Sequence, residues 1–406
     1  MSQRHVTILA LAAGGAQAGD QFVLASLPLL AVLLFGGGAE LAGPLVAAHG
    51  AAWLAAALPA GLLADRLPRR ALLGAGLWLG LGGGLLAIIG LRCDFIPLLG
   101  GGAFVASAGT VLFAIVASAL VPELAPPDRL PRANARIELA RALAGLLAPP
   151  LVGLAASRWS PALGLAFAMA ALLLALLALA RLPRQPAPVV ERARGGSLAA
   201  LAEGAGFVLR QPWLCALAAC AIFWNFAFFV LVAVFVPFAL QRLGLTPLQT
   251  GLAQSAQGFG MLLAALLAGR IVRLTRPNVL LLFGPAVSCL AAVLLLAAPA
   301  GTAPILAPAC WFLLGFGPML WLICQTSLRQ LLTPRRLQGR VNGSIQLAIY
   351  GVRPLGALAG GFVATRFGGE AALALAGLCF LASFLVPLTS GLRRLHSLPA
   401  SHAATA

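Results

Sequence analysis

Long apolar runs, punctuated by short arginine-bearing loops, set the pattern of this chain. A bilayer crossing takes about 20 mostly apolar residues. Runs of that kind fall at 6–34, 41–63, 71–91, 96–121, 134–156, 162–181, 213–240, 249–270, 278–299, 303–327, 341–365 and 370–391. The pattern predicts an all-α membrane protein of twelve transmembrane helices. Spans 2–3 and 11–12 are only a few residues apart, as antiparallel hairpins require. The longest polar stretch, 182–212, lies halfway along the chain. It divides a six-helix half (1–181) from a second one (213–392), with a short tail at 393–406. Within that linker Ser197 can cap a short helix whose Leu198, Leu201, Ala205 and Val208 share one face. That helix is expected to lie on the inner leaflet.

Composition agrees. Twelve spans need about 240 residues, which is nearly all of the 61% of 406 that is hydrophobic. Little remains for a soluble domain. Charged residues are 9%, far below the share usual in soluble domains. The net charge of +17 raises nucleic acid as a partner, but the charges are placed otherwise. Every basic residue is Arg, in short runs between apolar stretches rather than along one stripe. This reads as topology and argues against nucleic acid.

The N-terminus, the loops after even-numbered spans and the tail hold most of the arginines, from Arg4 through Arg66, Arg69 and Arg70 to Arg393 and Arg394. The opposite side holds only Arg92, Arg158, Arg242 and Arg366. The positive-inside rule therefore predicts both termini in the cytoplasm. The first apolar run is too long for a cleaved signal peptide. Seven scattered cysteines form no CxxC or Cys/His pattern, so no metal site, disulfide framework or cofactor is expected.

The halves repeat at an offset of 208 residues. ANARIELA (133–140) matches VNGSIQLA (341–348), with Asn134, Ile137, Leu139 and Ala140 recurring and Glu138 becoming Gln346. Arg132 falls on Arg340 and Gly61 on Gly269. Internal repeats rocking about a central site are the usual construction of secondary transporters.

The string GLLADRLPRR (61–70) resembles G-x-x-x-D-R-x-G-R-R, the loop motif between spans 2 and 3 of major facilitator superfamily transporters. Gly61, Asp65, Arg66, Arg69 and Arg70 match, and Pro68 replaces the second glycine. AGDQFVLASLPLL (18–30), VPELAPPDRLPRANA (121–135), LTPRRLQGRVNG (332–343) and GVRPLGALAGG (351–361) resemble one bacterial branch. That branch includes the enterobactin exporter and macrolide-efflux-like proteins. Two departures stand out. APPLVG (148–153) keeps only part of an exporter motif of span 5, and span 4 has no arginine.

The resemblance implies a cytoplasmic gate of Gly61, Asp65, Arg66, Arg69, Arg70, Arg132 and Arg340. Gly61 would allow close helix approach, and Asp65 would face the start of span 11. It also implies a cavity lined by spans 1, 4, 7 and 10, flanked by 2, 5, 8 and 11. Polar and aromatic candidates for that cavity are Gln17, Gln21, Glu138, Arg141, Trp224, Asn225, Gln254, Gln257, Trp321, Gln325, Gln346, Tyr350 and Arg353. Each has the alternative of plain helix packing. Arg353 matches the family arginine and is a candidate anchor for a helix break or gate.

Asp20 lies mid-span, where a charge is costly and must face a cavity or a partner. Two readings stay open: a proton-carrying group, or a structural carboxylate paired to an arginine or to helix N–H groups. Glu138 and Arg141 are three apart and can pair. Arg141 can alternatively bind an anionic substrate or hold Asp20. His49 in span 2 is isolated in the sequence and reads as structural.

These features point to a proton-coupled exporter of a hydrophobic or amphipathic small molecule, drug or siderophore-like, working as a monomer in a bacterial inner membrane. The alternative is a nutrient symporter or facilitator on the same fold. A membrane enzyme would need clustered His, Asp or Cys near one face, and the four histidines are widely spaced.

Overall fold

The computed structural model describes residues 3–64, 66–124, 129–183 and 197–397. Within these it is all helical. Twelve helices are long and apolar enough to cross a membrane. They are α1 (Gln3–Leu33), α2 (Ala39–Ala64), α3 (Arg69–Arg92), α4 (Ile96–Leu124), α5 (Leu130–Arg158), α6 (Leu163–Ala180), α8 (Pro212–Gln241), α9 (Pro247–Leu274), α10 (Pro277–Leu296), α11 (Ala303–Leu332), α12 (Gln338–Phe367) and α13 (Gly369–Thr389). A thirteenth, α7 (Ser197–Arg210), is short and amphipathic. Each expected span is present. Several helices run a turn past the apolar run, because hydrogen bonding continues after hydropathy stops. Prolines sit inside many of them, including Pro28, Pro59, Pro237 and Pro354. Membrane helices tolerate this when neighbours satisfy the freed carbonyls.

The chain forms two compact units. The first comprises residues 1–192 with 236–255, and the second 193–235 with 256–406. In the first, α3 and α4 approach so closely that glycine is required at the crossing. A Cβ on Gly83 would collide with the backbone of Ala106 and Gly102, and one on Gly109 with Gly76. Small residues at such crossings let dispersion contacts and backbone dipoles hold helices together in lipid. The end of α8 and the start of α9 belong to this unit. Gly251 packs on the Pro149 carbonyl, and Ser255 Oγ donates to the Leu146 carbonyl at 2.6 Å.

In the second unit α12 packs on α8 by the same device. Gly356 lies against the Phe226 carbonyl and Gly360 against Val230. These glycines belong to the GALAGG string, so the motif has a packing role that fixes the residues one turn earlier. The linker helix packs its apolar face on the start of α12: Val208 is buried, Gly204 abuts the Arg340 carbonyl, and Ser344 Oγ donates to the Leu201 carbonyl at 2.7 Å.

Candidate functional site

In the first unit, α1, α4 and α5 line a partly open cavity of about 90 Å³. Gln17, Thr110, Ser118, Asn134, Glu138 and Arg141 supply its polar wall, and Phe113 with several alanines its apolar one. Helical spacing explains the grouping. Asn134, Glu138 and Arg141 lie three or four apart, so α5 presents them on one face. Arg141 Nη1 donates to Glu138 Oε1 at 3.0 Å, and Nε reaches Gln17 Oε1 at 3.5 Å. The wall thus carries both charge signs, with Glu138 largely exposed.

One turn from Gln17 along α1 is Asp20. Its Oδ1 is 3.1 Å from Nε2 of His49 on α2, and both side chains are 4% exposed. This corrects two expectations. Asp20 pairs with His49 rather than with Arg141, and His49 is not isolated. Arg141 stays with α5 and Gln17 because its neighbour Glu138 is one helical turn away.

In the second unit, α8 and α12 bring four predicted residues into two linked groups. Arg353 Nε donates to Asn225 Oδ1 at 3.1 Å, and Asn225 Nδ2 donates to the Ala221 carbonyl at 2.9 Å. The Arg353 guanidinium lies 4.9 Å from the Tyr350 ring and 5.4 Å from the Phe229 ring. On the adjacent turn Trp224 stacks on Phe228 at 5.0 Å and donates its indole N–H to Ser288 Oγ at 2.9 Å.

At the start of α3, Arg69 Nη1 donates to the Ala119 carbonyl at 2.6 Å and to Glu123 Oε1 at 2.5 Å, tying α3 to the end of α4. Arg70 Nη2 reaches the Ala180 carbonyl of α6 at 3.1 Å. Arg66 and Arg132 are exposed. Arg340 on α12 pairs with Glu203 of the linker helix. A Cβ at Gly61 would meet nothing within 4 Å, so the close approach expected there is not present. Asp65, residues 125–128, the linker from 184 to 196 and the tail from 398 lie outside the described residues.

The family model of the Major Facilitator Superfamily matches residues 9–356, with a second match at 225–403. The chain belongs to the major facilitator superfamily. Among curated facilitators it is 28% identical over 225 residues to the Enterobactin exporter EntS of Salmonella choleraesuis (strain SC-B67). The figures for the protein of the same name from Salmonella typhimurium (strain LT2) are the same. That alignment takes in 55% of this chain, and the chain spans about half the length (53%) of the curated relatives it matches. Solved facilitators share the fold. A peptide transporter POT in complex with sulfate superposes with TM-score 0.75 at 16% identity, covering 95% of this chain and 93% of that one. A bacterial homologue of the iron transporter ferroportin in an inward-facing state gives 0.71 at 16%, covering 96% and 99%. This facilitator is therefore a multi-pass membrane transporter.

The remaining predicted positions are spread along this facilitator's spans. Gln325 is 5% exposed, and its Nε2 donates to Thr326 Oγ1 at 3.0 Å. Gln21, Gln254, Gln257, Trp321 and Gln346 are part-buried. The Trp321 indole N–H is buried with no partner among the described residues. Sequence reasoning missed His49, Ser288 and Glu203. One signal pointed to His49: an ionisable residue inside a span takes a partner there, and His49 is the histidine of the neighbouring span. For Ser288 and Glu203 no spacing could have found the partner.

Proposed function

We propose that this facilitator is a proton-coupled exporter of an amphipathic, siderophore- or drug-like small molecule. It would work by alternating access in a bacterial cytoplasmic membrane, as a monomer with both termini inside. The observation that carries the reading is the buried Asp20–His49 pair, one turn from the Gln17–Arg141–Glu138 cavity wall. A proton accepted by this pair changes the charge of a membrane-buried site, and that change biases which side of the membrane the site favours. The fall in protons down their gradient then drives substrate the other way. Similarity to the enterobactin exporter over half its length supports export and a siderophore-like cargo.

The loop motif completes the cycle. Asp65 at the inner face would meet the helix end of span 11, where a carboxylate gains about 0.3–1 kcal/mol from the dipole. Release of that contact would open the cytoplasmic side. Arg69 and Arg70 would hold α3 rigidly to α4 and α6 through the switch.

The test compares a deletion strain with an overexpressing strain over a panel of drugs and siderophores. Overexpression should lower cell-associated compound and raise tolerance or secretion for one amphipathic class. Higher cell-associated compound on overexpression would mark an importer and reject the reading.

A further inference from the structure

Arg353 lies at the middle of α12, with its guanidinium facing α8. The Tyr350 and Phe229 rings lie against its guanidinium through their faces, and Asn225 accepts from Nε. Among the described residues that is its one hydrogen bond, so the forked Nη1 and Nη2 edge is left without an acceptor. The missing element is a negative charge.

The sequence explains why none is present. Between Glu203 and Glu370 the chain contains no Asp or Glu. Glu203 is engaged with Arg340 at the start of α12, and Glu370 sits past the other end of the same helix. Arg340, which holds Glu203, and the end of α12 at Phe367, beyond which Glu370 lies, are each more than ten residues from Arg353 along a helix rising about 1.5 Å per residue, beyond side-chain reach. The second unit thus holds a cation at membrane depth with no carboxylate of its own near it. Such residues are costly, and they mark ligand pathways when no partner answers them. The first unit is the opposite case, since Asp20 and Glu138 both have partners there.

We infer that Arg353 is the anion-recognition point of the second unit, and that it takes the acidic group of an amphipathic organic anion, such as a carboxylate or phenolate borne on an aromatic body. A guanidinium offers two parallel N–H donors that match a carboxylate. Tyr350 and Phe229 hold that fork in one orientation, which lowers the ordering cost on binding. The Tyr350 and Phe229 rings beside the fork are the apolar surface that the body of the ligand would meet, while Trp224 and Phe228 stack on each other one face further round α8. The Gly356 and Gly360 crossings fix α12 against α8 and so fix the fork itself. The inference narrows the substrate class within the proposed function and rests on that reading for the word substrate. Binding itself requires neither export nor proton coupling.

The experiment is calorimetric titration of the purified full-length protein in phosphatidylcholine nanodiscs with 1-naphthoate and with 1-naphthamide, its uncharged counterpart. The wild type should bind naphthoate at least about tenfold more tightly than the amide. Arg353→Gln should abolish that preference and leave amide binding within about twofold. Arg353→Lys, which keeps the charge but not the fork, should retain part of it; this guards against loss through misfolding. Equal affinities in the wild type, no saturable binding of naphthoate, or a preference that survives Arg353→Gln would overturn the inference. The same titration with phosphatidylglycerol added separates the other source of an anion. Unchanged affinity supports a substrate site. An Arg353-dependent loss of naphthoate binding would assign the position to a lipid headgroup and overturn the substrate reading. Failure of the export panel, by contrast, leaves these affinities untouched.

Discussion

Replacing His49 by leucine removes the partner of a carboxyl group that is 4% exposed. No second partner for Asp20 exists among the described residues, so the group is left buried and unsatisfied. That costs about 1–3 kcal/mol for a neutral group, and about 3–5 kcal/mol where a buried charge is left unpaired. Asp20→Leu strands the imidazole in the same way and should cost a similar amount. The double variant strands neither. Two apolar side chains of comparable size then fill the α1–α2 contact, so its cost should fall below the sum of the singles by at least about 1 kcal/mol. Equilibrium unfolding in mixed detergent micelles, followed by tryptophan fluorescence, measures all four proteins. Costs that add to within about 0.5 kcal/mol, the tolerance for independent sites, would refute the pairing and with it the claim that Asp20 and His49 act together.

Three further outcomes follow from the same geometry. Gly83→Val drives a side chain into the backbone of Ala106 and Gly102; overpacking of this kind costs about 1–3 kcal/mol or more, and the variant should show a clearly lower melting temperature in detergent, whereas Gly61→Ala, with open space at its Cβ, should not. Asp65→Asn should lower transport severalfold at unchanged expression, as measured in vesicles, and an unchanged rate would mean that the motif only sets topology. A reporter fused after Arg394 should be active only in its cytoplasmic form, and a periplasmic signal would overturn the arginine-based orientation.

The helices were legible because a bilayer imposes one length and one polarity on each span, and this chain meets both twelve times. The glycine strings were legible as motifs, but only the structure tells their tasks apart. Gly356 and Gly360 make a close crossing, while Gly61 faces open space. The candidate site was legible in part. Arg353, Tyr350 and Asn225 stood out as polar residues in apolar spans, and α8 and α12 do bring them together. The partner of Asp20 was not legible from charge alone. Arg141 was the natural choice by charge, yet Glu138 one turn away takes it, leaving the imidazole of the adjacent span for Asp20. Pairings across helices depend on helix rotation, which periodicity cannot supply when a span is apolar nearly all round. The contact of the linker helix with α12 was not legible for a related reason. An amphipathic face serves lipid and protein equally well, and here Leu201, Gly204 and Val208 meet α12 or the core of its unit.

The most direct test of coupling uses inside-out membrane vesicles and a substrate found by the panel. An imposed proton gradient should drive accumulation by the wild type, and a protonophore should collapse it. Asp20→Asn should abolish gradient-driven accumulation while keeping counterflow, because exchange needs the rocking motion but no net proton movement. Normal gradient-driven accumulation by well-folded Asp20→Asn protein would contradict proton coupling through the Asp20–His49 pair.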